Sequence, residues 1–216
     1  MSSDEEPGTR HTGGSGLFVA FEGGDGAGKS TQLRMLAAAL AADGHDVLVT
    51  RQPGGTALGA AIRELVLHGD HVAPRAEALL YAADKAQHID EVIAPALAQG
   101  RTVLTDRYVD SSIAYQGAGR DLGVDEISRL QRWAVGGVLP DLTIVLDVTP
   151  TTGRARRGAE EDRLEAEGDD FHEAVREHFL LLAAADLQRY HVVDASAPPD
   201  EIHQRVLGWV RERAGQ

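Results

Sequence analysis

Eight consecutive residues near the start of the chain, Gly23 to Ser30, match the pattern G-x-x-x-x-G-K-[ST] at every fixed position. Glycines at this spacing let successive backbone N–H groups converge on phosphate oxygens without obstruction by a Cβ atom. Lys29 supplies a positive charge for the β- and γ-phosphates, and the Ser30 hydroxyl can bind Mg²⁺. The pattern predicts a nucleoside triphosphate site formed by Gly23, Gly24, Asp25, Gly26, Ala27, Gly28, Lys29, Ser30 and Thr31. GTPases, motor ATPases, sulfotransferases and small-molecule kinases share such a loop, so it does not identify the reaction.

Charged residues follow two further predicted strands. Asp106 and Arg107 come after the third strand, and Arg51 ends the second. Ligands of an open parallel sheet gather at the carboxyl ends of its strands, so we expect these side chains to face the phosphate loop. Asp106 can hold Mg²⁺ through water, and each arginine can bind a phosphate group through paired hydrogen bonds. A surface Asp–Arg pair and an ordinary Pro–Gly–Gly turn are the simpler alternatives when each segment is taken alone.

A third group of polar residues lies on a long predicted helix, about residues 75–98. Tyr81, Lys85 and His88 occupy positions i, i+4 and i+7 and therefore share one face. An aromatic ring and a hydrogen-bond donor one turn apart can stack on a nucleobase and bind its edge. The alternative is a solvated face with a half-buried tyrosine.

The elements that must position these residues alternate between strands and helices. Short apolar runs predict strands at residues 17–21, 47–50, 101–105, 142–147 and 191–193. Helical spacing predicts helices at about residues 29–43, 57–68, 75–98, 125–135, 171–188 and 199–213, with Leu79, Ala83, Ala86, Ile93 and Leu97 of the third helix directed inward and Pro95 a possible kink. This alternation predicts an α/β protein with a central five-stranded, mostly parallel sheet and helices on both faces. We expect a single domain over residues 17–216, preceded by a disordered tail over residues 1–16.

The composition of the 216-residue chain narrows the choice of partners. The formal charge of −13 argues against nucleic acid or an anionic membrane as the main partner, since both are polyanions. The absence of cysteine excludes disulfides, thiolate metal sites and thiol catalysis. The chain shows neither a signal-peptide pattern nor an apolar run approaching the ~20 residues that span a bilayer, so we expect a cytoplasmic protein.

Together these segments resemble the thymidylate kinase family. The similarity runs from residue 17 to about residue 211, and it is carried by the stretches FEGGDGAGKST, TRQPGGT, LLYAADKAQH, DRYVDSSIAYQGAGR, PDLTIVLDVTP and RARRGAEEDR. The resemblance implies a P-loop kinase fold with a short lid at about residues 154–170. It implies Mg²⁺-dependent transfer of the γ-phosphoryl group of ATP to dTMP, which gives dTDP and ADP for dTTP synthesis. It also implies a homodimer.

The resemblance implies roles for individual residues. Asp25 is expected to hold the deoxyribose 3′-hydroxyl, and Arg51 and Arg107 the phosphate of dTMP. Tyr81 stands where an aromatic ring stacks on thymine, and Lys85 where an arginine usually reads the base. The implied substrate-binding set is Asp25, Arg51, Tyr81, Lys85, Arg107, Ser112, Tyr115 and Gln116. The implied metal ligands are Ser30 and Asp106.

The lid is expected to supply a catalytic arginine, since Asp25, Gly26 and Ala27 leave none in the phosphate loop. The implied catalytic set is Lys29, Asp25, Arg107, Arg154, Arg156 and Arg157. No general base is needed, because a phosphate monoester with a second pKa near ~6 is mostly deprotonated at neutral pH. A deoxynucleoside kinase would need a carboxylate near the end of the second strand, where this chain has Arg51 and Gln52. Another nucleoside monophosphate kinase and a nucleotide-binding switch without transferase activity remain alternatives.

Three positions depart from the usual family pattern. Lys85 replaces an arginine and so lacks a planar two-donor fork, Gln52 replaces a glutamate, and Tyr81 replaces a frequent phenylalanine. The change at Lys85 bears most directly on selectivity for thymine.

Overall fold

The computed structural model of the protein describes residues 16–157 and 162–215. The predicted tail lies outside these residues except for Gly16. This glycine is buried, and a Cβ atom there would lie only 2.5 Å from the carbonyl oxygen of Arg101. The described fold therefore begins one residue before the predicted first strand.

Five parallel strands form one sheet in the order β2-β3-β1-β4-β5. The strands are β1 (Phe18–Glu22), β2 (Val47–Arg51), β3 (Thr102–Asp106), β4 (Leu142–Asp147) and β5 (Tyr190–Asp194). All five were predicted to within one residue at their starts and ends. The central strand β1 is fully buried, as expected for a parallel sheet covered on both faces.

Helices connect the strands and cover the sheet. Their bounds are α1 (Lys29–Ala42), α2 (Ala57–Arg63), α3 (Pro74–His88), α4 (Ala94–Ala98), α5 (Val109–Ser112), α6 (Val124–Ala134), α7 (Pro150–Arg156), α8 (Asp169–Ala185) and α9 (Pro199–Ala214). Single π-helical turns extend α2, α3 and α5, over residues 64–68, 89–93 and 113–119. The sequence did not predict α5, its π-helical turn or α7.

The two faces of β1 belong to different parts of the core. Val19 and Phe21 pack in a cluster with α1 and α9, whereas Phe18 and Ala20 pack in a cluster with α4. The predicted α/β fold with helices on both faces of a parallel sheet is therefore confirmed. The strand order also brings the carboxyl ends of β2, β3 and β1 side by side, where the predicted charged residues stand.

The predicted inward face of the helix over residues 75–98 is confirmed at Ile93 and Leu97, which are buried, but is wrong within α3. Leu79 is 59% exposed, and Ala83 and Ala86 are exposed as well. The buried face instead carries polar residues, among them Tyr81 and Lys85. Apolar periodicity located the helix but not its buried side. The buried side is polar because Tyr81 and Lys85 line a cleft. Farther along, the π-helical turn over residues 89–93 lies just before Pro95, so the long predicted helix is interrupted where the proline was expected to disturb it.

Candidate active site

A cleft of about 670 Å³ opens at the carboxyl ends of the first three strands. This volume lies within the range of small-molecule sites in proteins. Its lining joins the phosphate loop to the residues after β2, β3 and α5 and to the polar face of α3. The residue groups that the sequence analysis proposed for donor and acceptor therefore share one cavity.

Backbone crowding explains two glycines of the phosphate loop. Gly26 has a φ of +76°, and a Cβ atom there would lie 2.1 Å from the carbonyl oxygen of Gly153. Gly23 has a φ of +128°, and its Cβ atom would lie 2.3 Å from the carbonyl oxygen of Leu146. The loop thus runs close against the end of β4 and against α7, where no side chain fits. It leads directly into α1, whose first residues line the cleft, and a helix N-terminus is a favourable site for an anion.

The side chain of Lys29 forms hydrogen bonds with the backbone of this loop. Its ammonium group donates to the carbonyl oxygens of Gly23, at 3.0 Å, and of Gly24, at 2.8 Å. Burial, aided by the positive charge of Arg107, lowers the pKa of Lys29. The side chain also lines the cleft, where a phosphate group can reach it.

The two predicted metal ligands are in contact with each other. The Ser30 hydroxyl donates to Oδ2 of Asp106 over 3.2 Å, although the two residues lie far apart in the sequence. The other carboxylate oxygen of Asp106, Oδ1, is buried and has no hydrogen-bond partner among the described residues. One hydroxyl and one carboxylate suit Mg²⁺, which keeps several waters and uses substrate phosphates as further ligands. The residues present therefore fit this ion. The described part of the chain contains no cluster of three or more His, Asp or Glu residues able to form a metal cage on its own.

Asp25, Arg107 and Tyr115 form a compact hydrogen-bonded group beside the loop. The guanidinium of Arg107 donates to Oδ1 of Asp25 at 2.5 Å and to the hydroxyl of Tyr115 at 3.2 Å. That hydroxyl in turn donates to Oδ2 of Asp25 at 2.8 Å. Arg107 also donates to the carbonyl oxygen of Gly23 at 3.1 Å, so it touches the phosphate loop itself.

The electrostatics of this group keep Asp25 ionised. Burial raises the pKa of its carboxyl, but the charges of Arg107 and Lys29 outweigh burial and hold that pKa well below its usual value. An ionised Asp25 can only accept hydrogen bonds, so a ligand hydroxyl bound to it would act as the donor.

The turn after β2 is held from below by His88 of α3. The side-chain amide of Gln52 donates to Nδ1 of the His88 ring at 2.9 Å. The other ring nitrogen, Nε2, then carries the proton and donates to the Thr50 hydroxyl at 2.6 Å. Burial, together with the charge of Lys85, lowers the pKa of His88 to about 4, so the ring is neutral near pH 7. Between these two anchors, the exposed Arg51 side chain lines the cleft.

The part of the cleft where a nucleobase was predicted to bind is formed by α3 and the segment after β3. Lys85 is 2% exposed; its ammonium group donates to the Ser112 hydroxyl at 2.8 Å and lies 5.4 Å from the centre of the Tyr81 ring. Gln116 donates to the buried carboxylate of Glu77 at 2.8 Å. Burial, aided by the charge of Arg107, lowers the pKa of Lys85 to about 8 despite the carboxylates nearby. The reading of Tyr81 and Lys85 as a solvated face is therefore wrong.

The three lid arginines occupy different places. Arg156 lines the cleft and donates to the carbonyl oxygen of Ala195 at 2.8 Å. Arg157 lines a small adjoining cavity together with Gly24 and Asp25 of the phosphate loop. Arg154 is paired with Asp169 at 2.6 Å and lines neither cavity. Part of the predicted lid, residues 158–161, lies outside the described residues.

Two buried carboxylates behind the site escaped the sequence analysis. Glu22 at the end of β1 binds the start of α5, and Glu77 of α3 is paired with Arg163 and Arg120. The available signal was an acidic residue within an apolar or helical segment. An acidic residue that is buried there must be paired, because acidic residues are almost never fully buried otherwise. The partners could not be found from sequence because they lie 39 to 89 positions away.

This fold and cleft define the class of the protein as a P-loop kinase. A family comparison then specifies it: residues 21–206 match the family model described as thymidylate kinase. The thymidylate kinase of Leifsonia xyli subsp. xyli is 58% identical over 192 residues, which cover 87% of this chain and 90% of that protein. The thymidylate kinase of Bifidobacterium longum is 51% identical over 205 residues, which cover 93% of this chain and all of that protein. The chain belongs to the thymidylate kinase family, and this membership supports phosphorylation of dTMP by ATP as its activity.

Among the described residues, every helix is too short or too polar to cross a lipid bilayer.

Proposed function

We propose that the protein transfers the γ-phosphoryl group of ATP to the phosphate of dTMP, giving dTDP and ADP. The proposal rests on the position of Arg107, which contacts both the phosphate loop and the Asp25–Tyr115 pair inside one cleft. An arginine at this point can bind an acceptor phosphate next to the donor phosphates. At the end of β2, where a kinase acting on a hydroxyl would need a base, Arg51 and Gln52 support an acceptor that already carries a phosphate.

The chemistry required of the protein is mainly alignment and charge compensation. The acceptor oxygen is already deprotonated at neutral pH, so the site must hold two mutually repelling polyanions in line. Arg51 and Arg107 bind the acceptor, while Lys29 and the N–H groups of the loop bind the donor. Asp25, kept ionised by its neighbours, accepts the deoxyribose 3′-hydroxyl and thereby places the acceptor.

Ser30 and Asp106 would hold Mg²⁺, with Ser30 as a direct ligand and Asp106 acting through water. When bound, the ion supplies charge neutralisation between the β- and γ-phosphates. Support for this assignment comes from the contact between the two side chains and from the unpartnered buried oxygen of Asp106.

Arginines of the lid would stabilise the charge that develops on the moving phosphoryl group. Arg156 and Arg157 are the stronger candidates, since they line the two cavities that include phosphate-loop residues, whereas Arg154 is engaged with Asp169. An arginine in this role accelerates comparable transfers by ~10³ to 10⁵-fold. The separate Arg154→Ala, Arg156→Ala and Arg157→Ala variants rank the three by loss of kcat.

The base would be read by the polar face of α3 and by α5. Tyr81 offers its ring for stacking, Lys85 and Ser112 offer polar atoms to the base edge, and Gln116 closes the pocket. Tyr115 would stand beside the sugar where a ribose 2′-hydroxyl would collide. A single ammonium donor at position 85 makes thymine selectivity the part of the proposal that most needs testing.

A coupled ADP-release assay with ATP and Mg²⁺ tests the proposal. dTMP, dUMP, UMP, dCMP, dGMP and thymidine serve as acceptors at equal concentration. We expect dTMP to give the highest kcat/KM and thymidine to give no turnover. Turnover of thymidine without turnover of dTMP would refute the acceptor roles of Arg51 and Arg107. ATP binding without acceptor-dependent turnover would favour a nucleotide-binding switch.

The protein is further proposed to be a cytoplasmic homodimer. Apolar side chains lie exposed on the neighbouring helices α2 and α3 and on the π-helical turn between them: Leu58, Leu65 and Leu79 are 47%, 54% and 59% exposed. Exposed apolar side chains on neighbouring elements are candidates for protein–protein contacts. Sedimentation equilibrium should give twice the chain mass of 23.0 kDa, and Leu79→Glu should shift the protein toward monomer.

A further inference from the structure

We propose that Glu22 is a positioning residue for Arg107 and acts through the hydroxyl of Ser111. This inference rests on the proposed function, in which Arg107 binds the phosphate of the acceptor. It assigns to a buried carboxylate behind the site the task of holding that guanidinium in place for dTMP.

Glu22 ends β1 and its side chain is fully buried. Oε1 accepts hydrogen bonds from the backbone N–H groups of Tyr108, at 2.8 Å, and of Ser111, at 3.1 Å. Oε2 accepts from the hydroxyl of Ser111 at 2.5 Å. One carboxylate therefore fixes the backbone on both sides of the first turn of α5, directly after Arg107.

Ser111 continues the connection to the active site. Its Oγ accepts from the guanidinium of Arg107 at 3.1 Å while its own proton goes to Glu22. Arg107 itself has a φ of +64°, which is unusual for a residue with a side chain. A backbone held in such a conformation needs support from its surroundings. The hydrogen bonds to Tyr108 and Ser111 provide it immediately after the strained residue.

The hydrogen-bond direction explains why a carboxylate is needed. A glutamine could accept from the same two backbone N–H groups through its amide oxygen. Its amide nitrogen, however, would donate to Ser111 Oγ and leave the Ser111 proton without its acceptor. A buried carboxyl costs free energy that glutamine avoids, so the carboxylate is better explained by this donor–acceptor order than by packing.

The surroundings of Glu22 act on its ionised form in opposite directions. Burial and the neighbouring carboxyl of Asp110 raise the pKa of Glu22 to about 7, against the Ser111 hydroxyl and the charge of Arg107. From the other elements, the groups that face it are Lys29 of α1, Lys85 of α3 and Tyr190 of β5.

The experiment measures steady-state kinetics of the full-length Glu22→Gln and Ser111→Ala variants and of the double variant. Each single change should raise the KM for dTMP by about tenfold, the loss expected for one charge-assisted hydrogen bond, with the KM for ATP within about twofold of wild type. Because both residues act through one link, the double variant should lie within about twofold of the weaker single variant. The proposal would be overturned if the two losses multiplied in the double variant, if the KM for ATP rose equally, or if the KM for dTMP did not change.

Two further variants separate positioning from folding. Ser111→Thr keeps the hydroxyl and should restore the KM for dTMP to within about threefold of wild type. Asp110→Asn changes the adjacent buried carboxyl, which is 1% exposed and has no hydrogen bond to Arg107 or Ser111 among the described residues, and should leave that KM within about twofold. Equal losses in the four single variants would mean that Glu22 and Ser111 have a structural role alone. Absence of dTMP turnover in the wild type would instead refute the proposed function.

Discussion

The donor and acceptor sides of the cleft are built in different ways. The donor side is a short contiguous loop, whose glycines fit because backbone from residues 146 and 153 lies against them. The acceptor side consists of side chains from five separate segments of the chain, joined by hydrogen bonds that span up to 90 residues in sequence. In the proposed function, backbone groups on one side bind the phosphates of the donor, and side chains on the other side select the acceptor.

This difference leads to a general expectation about substitutions. A change on the donor side should affect every reaction that uses ATP, whatever the acceptor. A change on the acceptor side should act on dTMP and leave the affinity for ATP nearly intact. The three predictions that follow test this separation in order of decreasing effect.

Lys29→Met should lower kcat by about 10²- to 10³-fold, the loss typical of removing one charged contact that stabilises a transition state. The KM for dTMP should stay within about threefold of wild type, because Lys29 makes its hydrogen bonds within the loop. Arg34→Met, an exposed change on the same helix, is the control. A KM for dTMP that rises as much as kcat falls would show that the two sides are not separable.

Gly26→Ala should weaken ATP binding by ~10- to 10²-fold, since overpacking of this kind costs ~1–3 kcal/mol. Gly44→Ala is the matched control: its φ of +91° is equally unfavourable, but nothing lies within 4 Å of its Cβ position. The control should lose stability without losing ATP affinity. Titration of both variants with ATP, read by calorimetry, separates crowding from backbone strain. Equal ATP affinity in the two variants would contradict the packing argument.

The smallest effect concerns pH and Lys85. Its pKa, lowered to about 8 by burial, means that the free enzyme carries this charge at pH 7 and loses it as the pH rises toward 9. A charge-assisted hydrogen bond to the base then becomes a neutral one, so the KM for dTMP should rise by up to about tenfold across that interval. Lys85→Arg stays charged and should give a flat profile relative to wild type. The measurement is the KM for dTMP of both proteins from pH 6.5 to 9. Parallel profiles would exclude Lys85 as the source of the pH dependence.

The sequence predicted the regular parts of the fold well. Each strand is a short apolar run, and parallel strands buried on both faces show that signal clearly. Helix α5 and its π-helical turn were missed because residues 109–119 mix buried polar and apolar side chains that serve the site rather than a simple apolar face. The same cause reversed the inward face of α3, where Lys85 is buried and Leu79 is exposed.

The phosphate loop could be predicted residue by residue, since its chemistry is local and contiguous. Arg51, Arg107, Tyr81 and Lys85 were singled out by their places at strand ends and on one helix face. The other acceptor residues were assigned only through the resemblance to a family, and the structure then brought Asp25, Arg107 and Tyr115 into contact. Glu22 and Glu77 were not predicted at all. Their hydrogen bonds link positions far apart in the sequence, and no local pattern encodes such pairings.

The most direct test of the central claim is a calorimetric binding cycle with dTMP and thymidine on wild type and Arg107→Met. The two ligands differ only by the phosphate that Arg107 is proposed to bind. The account predicts that the substitution weakens dTMP by ~10- to 10²-fold, as expected for lost charge-assisted hydrogen bonds, and thymidine by less than about threefold. Equal weakening of both ligands, or an unchanged affinity for dTMP, would contradict the assignment of this side of the cleft to an acceptor phosphate.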